Sequence, residues 1–121
     1  MENKKIAVIG AGLMGSGIAQ TFAQAGYEVK NIDTFEAALV KAQDNVKKLF
    51  DKKVAKGKLT EAGRDEILGR LTYSYNMEDV KGAAIVVEAV PEKIELKKSV
   101  FAELDRLADP EAILVSNTSG L

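Results

Sequence analysis

Residues 4–15 read KKIAVIGAGLMG: an apolar run, Ile6-Ala7-Val8-Ile9, stops at glycine and enters Gly10-x-Gly12-x-x-Gly15. A continuous apolar tetrapeptide bounded by glycine predicts a parallel strand buried on both faces. Residues 13–25, rich in alanine and glycine, predict a helix that follows at once. An acidic residue, Asp33, stands 23 positions after Gly10, at the tip of a second short apolar run, residues 28–33. A glycine turn alone says little. Strand, glycine turn, helix and acid in this order form the pattern of a dinucleotide site.

Each part of the pattern has its own physical reason. Gly10 permits the tight strand-to-helix turn, Gly12 lets the backbone approach a pyrophosphate, and Gly15 lets the helix pack closely on the strands. Gly10, Ala11, Gly12, Leu13, Met14 and Gly15 are therefore the candidate phosphate-binding turn, where uncommitted helix N–H groups and the helix dipole favour negative charge. Asp33 is placed to accept hydrogen bonds from the adenosine ribose hydroxyls. Its charge repels a 2′-phosphate and Thr34 brings no cation to offset that, so the expected cofactor is NAD rather than NADP. The alternatives at this point are a glycine turn that binds no nucleotide, and FAD or S-adenosylmethionine, which use similar turns.

Composition narrows the class. With 121 residues, 46% hydrophobic and 29% charged, the chain suits one domain, burying roughly two-thirds of its unfolded surface. A net charge of −1 from 17 basic and 18 acidic residues gives no field that would draw it to nucleic acid or an anionic membrane. There is no cysteine, hence no disulfide framework, thiolate nucleophile or cysteine zinc site; no metal is expected. The apolar runs are too short to span a membrane, and Met-Glu-Asn-Lys-Lys leads into a core strand with no room for a signal or transit peptide. The expected location is the cytoplasm.

Along the chain, strands and helices alternate. Gly26 stands where the first helix should stop, as a left-handed C′ residue. Residues 35–56 read as a helix, with Phe35, Leu39, Ala42, Val46, Leu49, Phe50 and Val54 as its apolar stripe. Gly57 breaks it, and Thr60 is the expected N-cap of a second helix over 61–70. Together they make a helical hairpin where a simple crossover needs one helix. Residues 71–75 and 83–90 read as the third and fourth strands, Pro91 as the opening of a helix carrying Ile94, Phe101, Leu104 and Leu107, and residues 112–115 as the fifth strand. The fold class expected is α/β, a Rossmann-type doubly wound parallel sheet with a helical hairpin after the second strand.

In such a sheet the ligand lies beyond the carboxyl ends of the strands. Three segments meet there: the glycine turn, Glu88 to Lys97, and Ser116-Asn117-Thr118-Ser119. Four successive hydroxyl or amide residues can form a polar lip around a ligand; ordinary turn chemistry explains them equally well.

Gly10-Ala-Gly-Leu-Met-Gly15-Ser-Gly-Ile-Ala19, Val86-Val-Glu-Ala-Val90-Pro-Glu92 and Ser116-Asn-Thr-Ser119, taken together, resemble the cofactor domain of the 3-hydroxyacyl-CoA dehydrogenases, in their bacterial 3-hydroxybutyryl-CoA form. The resemblance covers the whole chain, including the hairpin with Val54-Ala-Lys-Gly-Lys58. It implies that residues 1–121 are one NAD-binding domain of a polypeptide more than twice as long, whose further part is helical, dimerises and closes over the substrate. It implies further that Gly10–Gly15 and Asp33 hold the adenine half of NAD, and that Glu92 and Lys97 lie along the cofactor. Asn117 would reach the nicotinamide side. Ser119 would meet the 3-oxygen of an acyl-CoA substrate, and Lys56 and Lys58 its coenzyme A. For Lys56 and Lys58 a solvated basic loop is an equal reading; for Glu92 and Lys97 the plain alternatives are a first-turn acid and a solvent-facing lysine.

Two departures stand out. Gly120 replaces the family's usual second serine, and the chain has no histidine. Oxidising a secondary alcohol requires a base for the hydroxyl proton, and the family's is a histidine oriented by a glutamate further along the polypeptide. The implied activity is thus that of an NAD-dependent dehydrogenase of (S)-3-hydroxyacyl-CoA, a homo-oligomer as a whole, of which this chain supplies the cofactor site and one substrate-orienting hydroxyl. The alternative is a free-standing, non-catalytic NAD-binding or sensor module. The length of the natural reading frame separates the two.

Overall fold

The computed structural model describes residues 4–89 and 94–116, and the side chains of residues 94–99 and 101 lie outside the description. The chain runs β1 (Lys5–Ile9), α1 (Leu13–Gln24), β2 (Glu28–Ile32), α2 (Glu36–Ala55), α3 (Glu61–Arg70), β3 (Leu71–Ser74), a 3-10 turn (Met77–Val80), β4 (Ile85–Glu88), α4 (Ile94–Leu107) and β5 (Ile113–Ser116). The five strands form one sheet in the order β3-β2-β1-β4-β5, and every neighbouring pair is parallel. The expected α/β Rossmann-type sheet is what the chain forms. β1 is central, and Ile9 pairs with Ile32 on one side and Glu88 on the other, so three strands end together around the glycine turn.

Residues 6–9 of β1 are each no more than 2% exposed, because the strand is covered on both faces. Ile6 and Val8 pack with Ala19, Ala23, Val29, Val46, Phe50 and Leu71, beneath α1 and the hairpin. Ala7 and Ile9 face the other way, toward Ile32, Val80, Val86, Leu104 and Leu107. Helix α1 buries only Gly15, Ala19 and Ala23, which lets its axis lie close to the sheet. It ends as expected at Gly26, whose φ of 101° suits a residue without a Cβ.

The hairpin also follows local rules. Gly57, at φ 72°, separates α2 from α3, and Thr60 caps α3 by accepting from the Gly63 N–H at 3.0 Å. Arg64 bonds Asp51 across the hairpin at 3.0 Å. At the end of α3, Arg70 donates through Nε and Nη2 to the Ala23 carbonyl (3.0 and 2.8 Å), tying the hairpin back to α1.

Three features depart from expectation. The buried stripe of α2 is Leu39, Ala42, Val46 and Phe50, while Phe35 and Leu49 are exposed by 72% and 40%. Phe35 precedes the helix with an extended backbone (φ −93°, ψ 100°), so it never joins the helical face. Leu49 sits one residue before Phe50 and is turned about 100° away from it on the helix. The 3-10 turn Met77–Val80 was not foreseen; it is capped by Asn76 Oδ1, which accepts from the Glu78 N–H at 3.0 Å, and it carries Val80 into the second core. β5 is one of the two edge strands, with Ile113, Leu114 and Val115 exposed by 58%, 38% and 43%. Pro91 lies outside the described residues.

Tyr73 on β3 packs partly buried against both the hairpin core and the cluster of Ala11, Leu39 and Ala42. Burial pushes its phenol up from 10.0 to about 12. A raised folded-state pKa gives stability that is complete below the unfolded value and is lost as pH rises through the folded one. Alkaline destabilisation is therefore expected to set in above about pH 10 and to run toward pH 12. Tyr73→Phe should flatten that limb, measured by urea midpoints across the range.

Candidate functional site

The glycine turn sits at the carboxyl edge, where strand order reverses from β2 to β4 around β1. Three successive residues at the end of β2 hold it. Ile32 O accepts from the Gly10 N–H at 2.7 Å. Asn31 Nδ2 donates to the Gly10 carbonyl at 2.9 Å and to the Val8 carbonyl at 3.1 Å. Asp33 Oδ2 accepts from the Ala11 N–H at 2.8 Å, while its Oδ1 accepts from the Phe35 N–H at 2.9 Å. Gly10 itself has a φ of 107°, which only glycine adopts readily.

The other two glycines of the motif serve opposite needs. A Cβ on Gly15 would lie 1.9 Å from the Gly10 carbonyl oxygen, so its absence lets α1 approach the end of β1. A Cβ on Gly12 would meet nothing within 4 Å, and Gly12, as N-cap of α1, has an ordinary φ of −67°. Nothing in the fold asks for glycine at 12. What the missing side chain leaves is open space against the backbone at the start of α1, whose first turn has no acidic residue and no side-chain cap. That combination fits an anionic diphosphate. Asp33 fits the adjoining ribose: each of its oxygens accepts one backbone N–H and keeps a second acceptor position for a hydroxyl.

On the other side of β1, Glu88 is fully buried and accepts from Ser116 Oγ at 2.9 Å. This bond ties the ends of β4 and β5. Glu92, Asn117, Ser119 and Gly120 lie outside the described residues, and Lys97 lies on α4 with its side chain outside them. The structure thus brings together Gly10, Ala11, Gly12, Leu13, Met14, Gly15 and Asp33. It does not bring Lys56 and Lys58 to them: both are exposed at the far end of α2, about 30 Å along the helix from its start. Asn31 was missed in the sequence; the signal was an amide between apolar Val29 and Ile32 in a central strand. It is fully buried, and its Oδ1 has no hydrogen-bond partner, an arrangement that costs about 1–3 kcal/mol.

A groove of about 580 Å³ opens beside the turn, between α1 and α2, lined by Gly12, Leu13, Gly17, Ala42, Asn45 and Leu49 among others. A smaller cavity of about 300 Å³, rimmed by Lys5, Glu28, Lys30 and Lys81, lies at the amino ends of the strands, away from the turn. Among the described residues no cluster of His, Cys, Asp or Glu could hold a metal ion, and no helix is long and apolar enough to cross a membrane.

The model of the 3-hydroxyacyl-CoA dehydrogenase NAD binding domain matches residues 5–121. The chain belongs to this family. It is 42% identical to a 3-hydroxybutyryl-CoA dehydrogenase of Mycobacterium tuberculosis over 119 residues, which are 98% of this chain and 42% of that protein. A probable 3-hydroxybutyryl-CoA dehydrogenase of Bacillus subtilis is also 42% identical, over all of this chain and 42% of its own length. Among solved structures, the 3-hydroxybutyryl-CoA dehydrogenase of Escherichia coli K12 superposes with a TM-score of 0.94 at 35% identity, covering 100% of this chain and 26% of that one. The (S)-3-hydroxybutyryl-CoA dehydrogenase of Ralstonia eutropha gives 0.92 at 36%, covering 98% and 42%. The chain therefore spans well under half the length of these relatives, and NAD is the cofactor of the domain family to which it belongs.

The two glycines give a paired expectation. Gly12→Val should keep the far-UV circular dichroism and the urea midpoint while abolishing nucleotide binding, because the branched side chain fills only the open approach. Gly15→Ala should instead destabilise the fold by about 1–3 kcal/mol, the usual range for overpacking, read as a lower urea midpoint.

Proposed function

We propose that this chain is the NAD-binding domain of a longer dehydrogenase that oxidises (S)-3-hydroxyacyl-CoA, of short chain length such as 3-hydroxybutyryl-CoA, to the 3-ketoacyl-CoA. The observation that carries the reading is the glycine turn: its backbone is held by β2, open at Gly12, and flanked by the Asp33 carboxylate. The names of the relatives supply the substrate class.

Bound at this turn, NAD would supply the acceptor for a hydride leaving C3 of the substrate. The chain's own work is to bind and orient. The N–H groups at the start of α1 take the diphosphate, and Asp33 takes the ribose hydroxyls and disfavours a 2′-phosphate. By family resemblance, Glu92 and Lys97 line the cofactor, Asn117 meets the nicotinamide side, Ser119 orients the substrate 3-oxygen, and Lys56 and Lys58 contact coenzyme A. The hydroxyl proton leaves to a base; the 121 residues contain no histidine, and the family's histidine–glutamate pair lies in the further part of its longer members. We further propose a cytoplasmic homo-oligomer whose partner molecule is an acyl-CoA. The exposed apolar residues of β5 support an extended contact along that edge.

Two measurements test this reading. Calorimetric titration should show NAD binding tighter than NADP, and Asp33→Ala should narrow the difference. That substitution should also weaken NAD itself, because the Ala11 N–H loses its acceptor. Tighter binding of NADP would overturn the cofactor assignment. With NAD saturating, the 121-residue chain should show no oxidation of 3-hydroxybutyryl-CoA, since general-base catalysis alone contributes roughly 10²–10⁴-fold and closure over the substrate adds more. Turnover approaching that of a longer relative would place the base within residues 1–121.

A further inference from the structure

We propose that Asn31 is a positioning residue for the dinucleotide: with Asp33 it clamps a single peptide unit, Gly10–Ala11, and so fixes the direction of the N–H groups that follow it. The inference rests on the reading of the glycine turn as the NAD site. The Gly10 carbonyl and the Ala11 N–H are the two ends of one peptide plane. Asn31 Nδ2 holds the first at 2.9 Å and Asp33 Oδ2 holds the second at 2.8 Å. Because residues two apart on a strand share a face, β2 presents the donor and the acceptor side by side, matched to opposite ends of that plane.

The geometry on the far side agrees. The Gly10 carbonyl points to where a Gly15 Cβ would be, so Gly15 supplies the room and Asn31 the bond that keeps the carbonyl in it. With the Gly10–Ala11 plane fixed from both ends, rotation about the Ala11 and Gly12 backbone bonds is all that remains between the clamp and the start of α1. A second observation separates this role from ordinary packing. Asn31 is fully buried with Oδ1 unpaired, a cost that packing in a strand interior does not call for. What the amide adds is its two bonds from Nδ2, one to Val8 O within β1 and one to Gly10 O, where the turn begins.

The test has two parts. In the ligand-free chain, amide hydrogen exchange followed by NMR should show the Ala11 N–H protected and the Gly12 N–H exchanging fast. Exchange at Ala11 as fast as at Gly12 would overturn the clamp without reference to NAD or to any variant. In Asn31→Leu, which keeps the volume but removes the donor, Ala11 should exchange faster. Its NAD affinity should fall roughly three- to tenfold, the usual weight of one net hydrogen bond, under conditions where far-UV circular dichroism shows the variant fully folded. Asn31→Asp, isosteric but turning an acceptor toward the two carbonyls, should weaken NAD binding further. Wild-type affinity in both variants would overturn the proposal even if the wild type binds NAD well. Failure of the wild type to bind NAD, with Ala11 protected, would overturn the functional reading and with it the clamp's role toward the cofactor.

Discussion

The close approach of one helix to the end of one strand governs much of this structure. Helix α1 can lie against the end of β1 only because residue 15 has no side chain; an added Cβ would stand 1.9 Å from the Gly10 carbonyl oxygen. That contact sets the depth of α1 on the sheet. The depth in turn dictates that the buried face of the helix be glycine and alanine, as it is at Gly15, Ala19 and Ala23. An α1 that lies so close to the sheet leaves room for Val46 and Phe50 of α2 to reach the same core, which is how a helical hairpin fits where a single crossover helix would do. It also brings the amino end of α1 level with the ends of β1, β2 and β4, where its dipole faces outward.

Two buried polar side chains flank that point, and they are the only polar or charged residues buried among the described ones: Asn31 at the end of β2 and Glu88 at the end of β4. Both bond to a neighbouring strand or its continuation, Asn31 to Val8 and Gly10 and Glu88 to Ser116. Parallel sheets bury their strands on both faces, so a polar group inside one needs partners supplied by strand ends and turns. Here both sit at the carboxyl edge. The sheet is apolar where it carries load and polar where its loops must be aimed.

Much of this could be read in the sequence, because it is local. Gly26 declares a left-handed position and Gly57 a helix break, Thr60 declares a cap, and α3 spans the residues its cap and length imply. The β2 acid was legible because its spacing from the glycines follows from the βαβ unit itself. What was not legible depends on neighbours distant in sequence. Asn31 sits 21 residues from Gly10, and nothing near it announces that a carbonyl of another strand will need a donor. Phe35 and Leu49 fit an apolar stripe on paper, but only the position of the sheet decides how wide that stripe is. The 3-10 turn at Met77–Val80 has too few residues for a periodic signal, and its purpose, delivering Val80 to the second core, appears only once that core exists.

Asp33 shows how closely selectivity and architecture are joined at such a site. In the sequence it is a discriminator, a negative charge where a 2′-phosphate would lie. In the structure it is also an acceptor for Ala11 and for Phe35, so the same carboxylate holds the turn proposed to receive the diphosphate and the chain that leads into α2. Exchanging it for a neutral or cationic side chain to admit NADP would remove the repulsion and, in the same step, release two backbone N–H groups. A redesign of cofactor preference therefore has to restore an acceptor for Ala11 before any gain from a new cation could be seen. The order of substitutions matters more than their number: the turn must be held first, because every proposed contact to the diphosphate depends on where its peptides point.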